Sequence, residues 1–182
     1  ATGKCTKVYR GHTGWVTSIL YDEATKRIFS ASGDKTVIVW NDETGEKIGV
    51  MEGHTDRVLS LSRVTDTTIA SGACDGTVRV WDMATFSCVN IMYSGSVVFS
   101  ITTTPDRQHL IVGLGDRHVD VVSVETGKCL YTLTHHTSLV HKVAISPSGR
   151  LIASCGLDGI FHLTSVSPPF SGRDHGSART CY

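Results

Sequence analysis

The sequence predicts an all-β fold made of four repeated, four-stranded antiparallel units. Three observations carry this. The first is internal repetition. Ser30-Ala31-Ser32-Gly33-Asp34-Lys35-Thr36-Val37-Ile38-Val39-Trp40-Asn41 aligns with Ser71-Gly72-Ala73-Cys74-Asp75-Gly76-Thr77-Val78-Arg79-Val80-Trp81-Asp82 at an offset of 41 residues, and Gly11-His12-Thr13 returns as Gly53-His54-Thr55 at 42. Two fainter copies run from Val112 to Val121 and from Ser154 to Leu163. The second is patterning: apolar residues within each unit alternate or run briefly, as strands do, and no stretch holds a useful helical period. The third is punctuation by turn residues: Gly33-Asp34, Asp75-Gly76, Pro105-Asp106 and Pro147-Ser148-Gly149.

Taken in order, the first unit (15–52) has strands near 15–20, 27–32, 36–41 and 46–52. The second (57–93) has them near 57–63, 67–73, 77–82 and 87–93, and the third (97–134) near 97–103, 109–114, 118–123 and 128–134. The fourth (139–165) has three, near 139–145, 150–155 and 159–165. Where its last strand is due, Pro168 and Pro169 oppose a ladder. Residues 4–10 supply a candidate replacement, because Thr2-Gly3-Lys4-Cys5 matches Thr126-Gly127-Lys128-Cys129. The repeats thus occupy 1–165, and 166–182, poor in apolar residues, reads as a flexible C-terminal tail. Four short strands per unit of about 40–45 residues is the signature of propeller blades.

With Gly-His opening the units and Trp-Asp closing one, the chain resembles the WD40-repeat family over residues 1–165. The resemblance implies WD40-type β-propeller blades, here a partial ring or half of a larger one. It also implies a hydrogen-bonded His, Ser or Thr, Asp and Trp tetrad inside a blade, since buried polar groups need partners. By position, His12, Ser30, Asp34 and Trp40 make the first set, and His54, Ser71, Asp75 and Trp81 the second. The third set is lost, with Ser94, Val112, Asp116 and Val122 in its places. The fourth keeps His136, Ser154 and Asp158, with Thr164 for the Trp. A recurring Ser, His and Asp argues structure, because a catalytic triad occurs once.

By the same resemblance, the loops before each unit's first strand and the turns between its second and third strands build one rim. The slot three residues after the tetrad His holds Trp15, Arg57, Val97 and Leu139; the slot before the tetrad Asp holds Gly33, Cys74, Gly115 and Leu157. Trp and Arg are the residues most enriched where binding energy concentrates, so Trp15 and then Arg57 lead the candidates. Thr13, Thr55, Leu139, Cys74 and Leu157 complete the expected partner-binding set.

Composition narrows the function classes. In 182 residues, 17 Lys and Arg balance 17 Asp and Glu, which disfavours a general nucleic-acid binder. No apolar run reaches the roughly 18 residues of a membrane span. Six Cys without a Cys-x-x-Cys spacing suit reduced thiols in a cytoplasmic or nuclear setting, and give no zinc site. His135, His136 and His141 lack carboxylate or Cys partners at metal-ligand spacing. Asp22-Glu23 and Asp42-Glu43 fall in hairpin turns rather than in an apolar pocket that would raise a general acid's pKa. No metal, cofactor or catalytic residue is therefore expected. The expected function is a non-catalytic interaction scaffold binding a protein or peptide. Alternatives are substrate recognition within an assembly such as a ubiquitin ligase, an RNA- or chromatin-associated propeller, or a propeller enzyme. Three routes to closure compete: a longer chain, favoured first, then two chains joined head to tail into an eight-bladed ring, or four blades closing tightly alone.

Overall fold

The computed structural model describes residues 3–167. Fifteen strands follow one another without a helix among these residues. The first sheet holds β1 (Val16–Asp22), β2 (Arg27–Ser32), β3 (Val37–Asn41) and β4 (Lys47–Met51) in that order. The second holds β5 (Val58–Arg63), β6 (Thr68–Ala73), β7 (Thr77–Asp82) and β8 (Cys88–Tyr93). The third holds β9 (Val98–Thr103), β10 (His109–Leu114), β11 (Val119–Ser123) and β12 (Cys129–Leu133). The fourth holds three strands, β13 (Val140–Ile145), β14 (Leu151–Gly156) and β15 (Phe161–Ser165). Every pairing is antiparallel between sequence neighbours, as short hairpin loops dictate.

The sheets stand in a row, each packing its innermost strand against the next: β1 on β5, β5 on β9, β9 on β13. Alternation puts one face of each sheet into the following junction. Phe29, Ala31, Val37, Val39 and Met51 of the first sheet close over Val58, Leu61, Ile69 and Trp81 of the second. Val78, Val80 and Met92 pack with Val98, Ile101 and Leu110, and Ile111, Val119 and Val121 with Val140, Val143 and Ile152. A serine stitches each junction: the Leu61, Ile101 and Val143 N–H groups donate to Ser18, Ser60 and Ser100 Oγ at 3.2, 3.1 and 3.3 Å. Below them, Asp22 pairs with Arg63, and Asp66 takes Arg107 at 2.7 Å, so charges bridge the first three sheets.

One expectation needs correction. Residues 4–10 do not pair into the fourth sheet within this chain. They run beside the first sheet, where Lys7 reaches the carbonyls of Asp42 and Glu43 and the Tyr9 hydroxyl donates to Asp42 at 2.9 Å. The Tyr9 ring meets Trp40 edge-on at 5.6 Å. The row of sheets separates this segment from β15, so the fourth sheet keeps three strands instead of four. Of the tail expected at 166–182, residues 168–182 lie outside the described residues.

Candidate functional site

The tetrads are hydrogen-bonded chains that the strand register assembles. Ser30 and Ser71 sit opposite Ile38 and Arg79 across β2–β3 and β6–β7, which turns their hydroxyls toward the indoles two residues on. Trp40 Nε1–H donates to Ser30 Oγ at 2.8 Å, and Trp81 Nε1–H to Ser71 Oγ at 2.7 Å. Each hydroxyl meets a histidine Nε2, at 2.8 Å for His12 and 2.7 Å for His54. The other ring nitrogen meets a carboxylate, Asp34 at 2.7 Å and Asp75 at 2.8 Å. The backbone N–H groups of Thr13 and Thr55 and the hydroxyls of Thr36 and Thr77 complete the carboxylates' acceptor capacity. In the fourth sheet His136 bridges Ser154 at 2.9 Å and Asp158 at 2.8 Å. With Thr164 in the Trp place, the His162 ring stands edge-on to His136 at 4.6 Å.

These environments set protonation. Burial alone pushes the Asp34 carboxyl up, but hydrogen bonds from Thr36, His12 and the Thr13 N–H outweigh it and bring it down to about 2. Asp158 is brought to about 2 by the same balance, with His136 the main donor. Asp75 moves down likewise, and burial lowers His54 against the pull of Asp75. A neutral His54 then donates from Nδ1 and accepts from Ser71 at Nε2. All three serines are buried, and Ser30 and Ser71 are each engaged by both a histidine and an indole, which argues for a structural role.

The third sheet carries no tetrad. Ser94 Oγ turns instead to the carbonyls of Gly76 and Ser96 at 2.9 and 2.8 Å, and Asp116 faces His118 at 3.1 Å. A cavity of about 20 Å³ remains between Val78, Val112 and Val122. Asp120 borders it, buried, accepting from Thr132 at 2.6 Å, with burial pushing its carboxyl above the usual range. Sequence alone did not single out Asp120, because an acid at an inward strand position has no motif of its own.

The two rim slots prove to be bonded to each other in every unit. Gly33 N–H donates to Trp15 O, Cys74 N–H to Arg57 O, Gly115 N–H to Val97 O and Leu157 N–H to Leu139 O, at 2.8–3.1 Å. The loop preceding each sheet is thereby tied to the turn between its middle strands. Trp15 is 70% exposed in this chain, on the first sheet, whose outer face no other sheet covers. Its indole lies over Gly33, and the Arg57 guanidinium stands 5.7 Å from the ring centroid. Cys74 is half-buried beside Arg57, and burial pushes its thiol up. Thr13 and Thr55 are exposed on the same rim. Leu139, half-buried, and Leu157, exposed, belong to the fourth sheet at the other end of the row. The stacked Phe99 and His141 rings, 6.3 Å apart on neighbouring innermost strands, were not foreseen. Among the described residues, no three His, Cys, Asp or Glu side chains form a metal-ligand group, and no helix is long and apolar enough to cross a membrane.

Comparison with known proteins gives the same repeat. The family model "WD domain, G-beta repeat" matches residues 3–41, 45–82 and 127–165. The chain is 33% identical over 164 residues to a guanine nucleotide-binding protein subunit beta of Oryza sativa subsp. japonica, covering 80% of this chain and 43% of that one. It is 33% identical over 134 residues to transcription factor unc-37 of Caenorhabditis elegans, covering 73% and 22%. It is 25% identical over 164 residues to autophagy-related protein 16 of Arabidopsis thaliana, covering 89% and 32%. The chain thus spans less than half the length of these relatives.

Proposed function

The chain belongs to the WD domain, G-beta repeat family, and on that premise we propose that it is a non-catalytic interaction module docking a protein or peptide partner on the rim that carries Trp15 and Arg57. The observation that carries this reading is the Trp15–Arg57 pair. A large aromatic ring is left in solvent, beside Gly33 and under a guanidinium 5.7 Å from its centroid, on loops bonded to the strands. Such a pair offers apolar area and a charged fork at little conformational cost. The tetrads support the non-catalytic side, because their polar groups are spent on one another. Kinship to a protein named as a subunit suits a part that works by contact. The five described cysteines are free thiols, which goes with a reducing cytoplasmic or nuclear setting. Balanced charge sets RNA or chromatin lower as partners.

The test is co-purification from cells, with bound proteins quantified for wild type, Trp15→Ala, Arg57→Glu and Glu125→Lys. Glu125 lies in the turn between β11 and β12, on the opposite rim. We expect the first two variants to fold normally and lose the same partners, while Glu125→Lys keeps them. An unchanged partner set in both rim variants places binding elsewhere.

A second reading concerns assembly. The outer faces of the first and fourth sheets are bare of the cover that the same positions receive in the other sheets. A second copy joined head to tail, giving eight sheets in one ring, would cover both.

A further inference from the structure

Among the described residues, five other than glycine adopt left-handed backbone: Lys26, Lys35, Phe86, Arg107 and Arg117. Each such residue costs the fold, and it persists only where something repays it. Three are repaid inside the molecule. Lys26 pairs with Glu23, and Arg107 with Asp66 at 2.7 Å. The Phe86 ring fills a space that a Cβ at Gly49 would block, beneath the Arg27 guanidinium at 5.7 Å.

Lys35 and Arg117 have no such return. They occupy one repeated turn position, φ 75° and 81°, where the second and fourth units place Gly76 and Gly159 at 77° and 76°. Two units therefore use the residue that fits this turn without strain, and two carry a long cation instead. Both side chains are exposed. The Lys35 ammonium has no partner among the described residues, and Arg117 reaches only its neighbour's carbonyl, Asp116 O, at 3.3 Å. Both turns belong to the rim of Trp15 and Arg57, one on the first sheet and one on the third, with Arg57 on the second between them. The carboxylates of this rim are largely committed. Asp34, Asp75 and Asp158 are held by histidines and N–H groups with side chains 11%, 5% and 3% exposed. Asp116 and Asp56 are about half exposed; Asp116 faces His118, and Asp56 accepts from the Arg57 N–H at 2.7 Å and stands 3.9 Å from the Arg57 guanidinium, a solvent-exposed pair that a peptide carboxylate can replace.

We infer that Lys35, Arg57 and Arg117 form an arc of outward cations across three consecutive sheets that receives an acidic peptide segment, anchored by an apolar side chain on Trp15. The inference rests on the rim reading above and names its partner's chemistry. Peptide is favoured over nucleic acid because the arc is short, holds a single aromatic platform and sits on a chain without net positive charge.

The strained turns make the test two-sided. Lys35→Gly and Arg117→Gly remove a cation and relieve the backbone together. The probe is a fluorescein-labelled glutamate-rich peptide containing one leucine, with its glutamine counterpart as control, followed by anisotropy on the full chain. We expect the glutamate peptide to bind more tightly, and its affinity to fall as NaCl rises. Each glycine variant weakens it about two- to fivefold, the worth of one exposed ion pair. Meanwhile Tm stays level or rises by up to about 3 °C. A structural role for the two cations predicts the opposite sign, a lower Tm. Equal binding of both peptides, unchanged affinity in the glycine variants, or tighter binding of a single-stranded RNA of equal charge would overturn the inference. None of these results bears on whether Trp15→Ala loses the cellular partner, so the rim reading is judged separately.

Discussion

In the second sheet every polar hydrogen of the tetrad has one acceptor. Trp81 N–H goes to Ser71, the Ser71 hydroxyl to His54 Nε2, and His54 Nδ1–H to Asp75. The arrangement works only with the carboxylate ionised, and Asp34, Asp75 and Asp158 are all held below the ordinary carboxylate range. A depressed folded-state pKa favours folding above the unfolded value, near 4, and that contribution is lost as pH falls toward the folded value. For Asp34 and Asp158 the window runs from about pH 4 down to about 2. Urea midpoints should therefore begin to fall below about pH 6.5, where the buried, neutral His54 refuses a proton that the unfolded chain accepts, and drop more steeply below about pH 4. Asp75→Asn removes one ionised acceptor from buried donors, which costs about 1.5–3 kcal/mol at pH 7. The same change flattens the acid limb, since one of the carboxylates held low in the folded state is gone. An asparagine variant with wild-type acid slope would show that the tetrad carboxylates do not drive acid unfolding.

The strands differ in how their sheets are locked. The second and third sheets are each covered on both sides, but only the second has a tetrad tying its opening loop, its middle strands and its Trp together. The third has valines at 112 and 122, a small cavity and a buried acid in their place. Amide exchange through local opening should be about five- to tenfold faster in β9–β12 than in β5–β8, matching a loss of about 1 kcal/mol. Equal protection in the two sheets would mean that packing, not the tetrad, sets local stability. Much of this level was legible beforehand. Strand positions followed from turn residues and alternation, both local signals. The tetrads followed from recurrence, because a His, Ser, Asp and Trp kept at fixed spacing twice leaves little freedom of interpretation. The exposure of Trp15 was not legible, since an indole suits a sheet junction and a rim equally well. Nor was the value of Lys35 and Arg117, which emerges only once their φ angles stand beside those of Gly76 and Gly159. The fate of residues 4–10 depended on which sheet lies next to them in space, and no local pattern encodes that.

At the scale of the whole molecule the row of sheets ends in two unlike faces, each built as half of a junction. Ile19 is 68% exposed, whereas Leu61, Ile101 and Val143 in the same place are 9%, 4% and 3% exposed. Phe161 is 75% exposed where Val37, Val78 and Val119 are 0%, 2% and 1%. On the first sheet the bare face forms a groove of about 430 Å³ lined by Tyr9, Val16, Ile19, Ile28 and Trp40. Residues 3–10 lie at its border, beside the edge where an incoming three-stranded sheet would need its outermost strand. Because the two faces differ, a contact between copies through them would be heterologous and would either close into a ring or propagate. One detail departs from the three observed junctions: Lys142 stands where Ser18, Ser60 and Ser100 accept the next sheet's N–H, so a junction formed on the fourth sheet would have no serine stitch. Light scattering on the purified chain, of 19.6 kDa, should show association rather than monomer. A sharp mass of about 39 kDa, twice the chain, is the expected signature of two copies closing one ring. Ile19→Glu and Phe161→Glu, placed on opposite faces, should each return the sample to single-chain mass, and Lys142→Ser should strengthen the pair. A broad, growing mass distribution that either glutamate abolishes assigns the faces to sheets supplied by a different chain segment. A monodisperse single-chain mass in the wild type, indifferent to both glutamates, refutes the head-to-tail ring outright, because exposed junction faces on both ends of one row cannot remain both intact and inert.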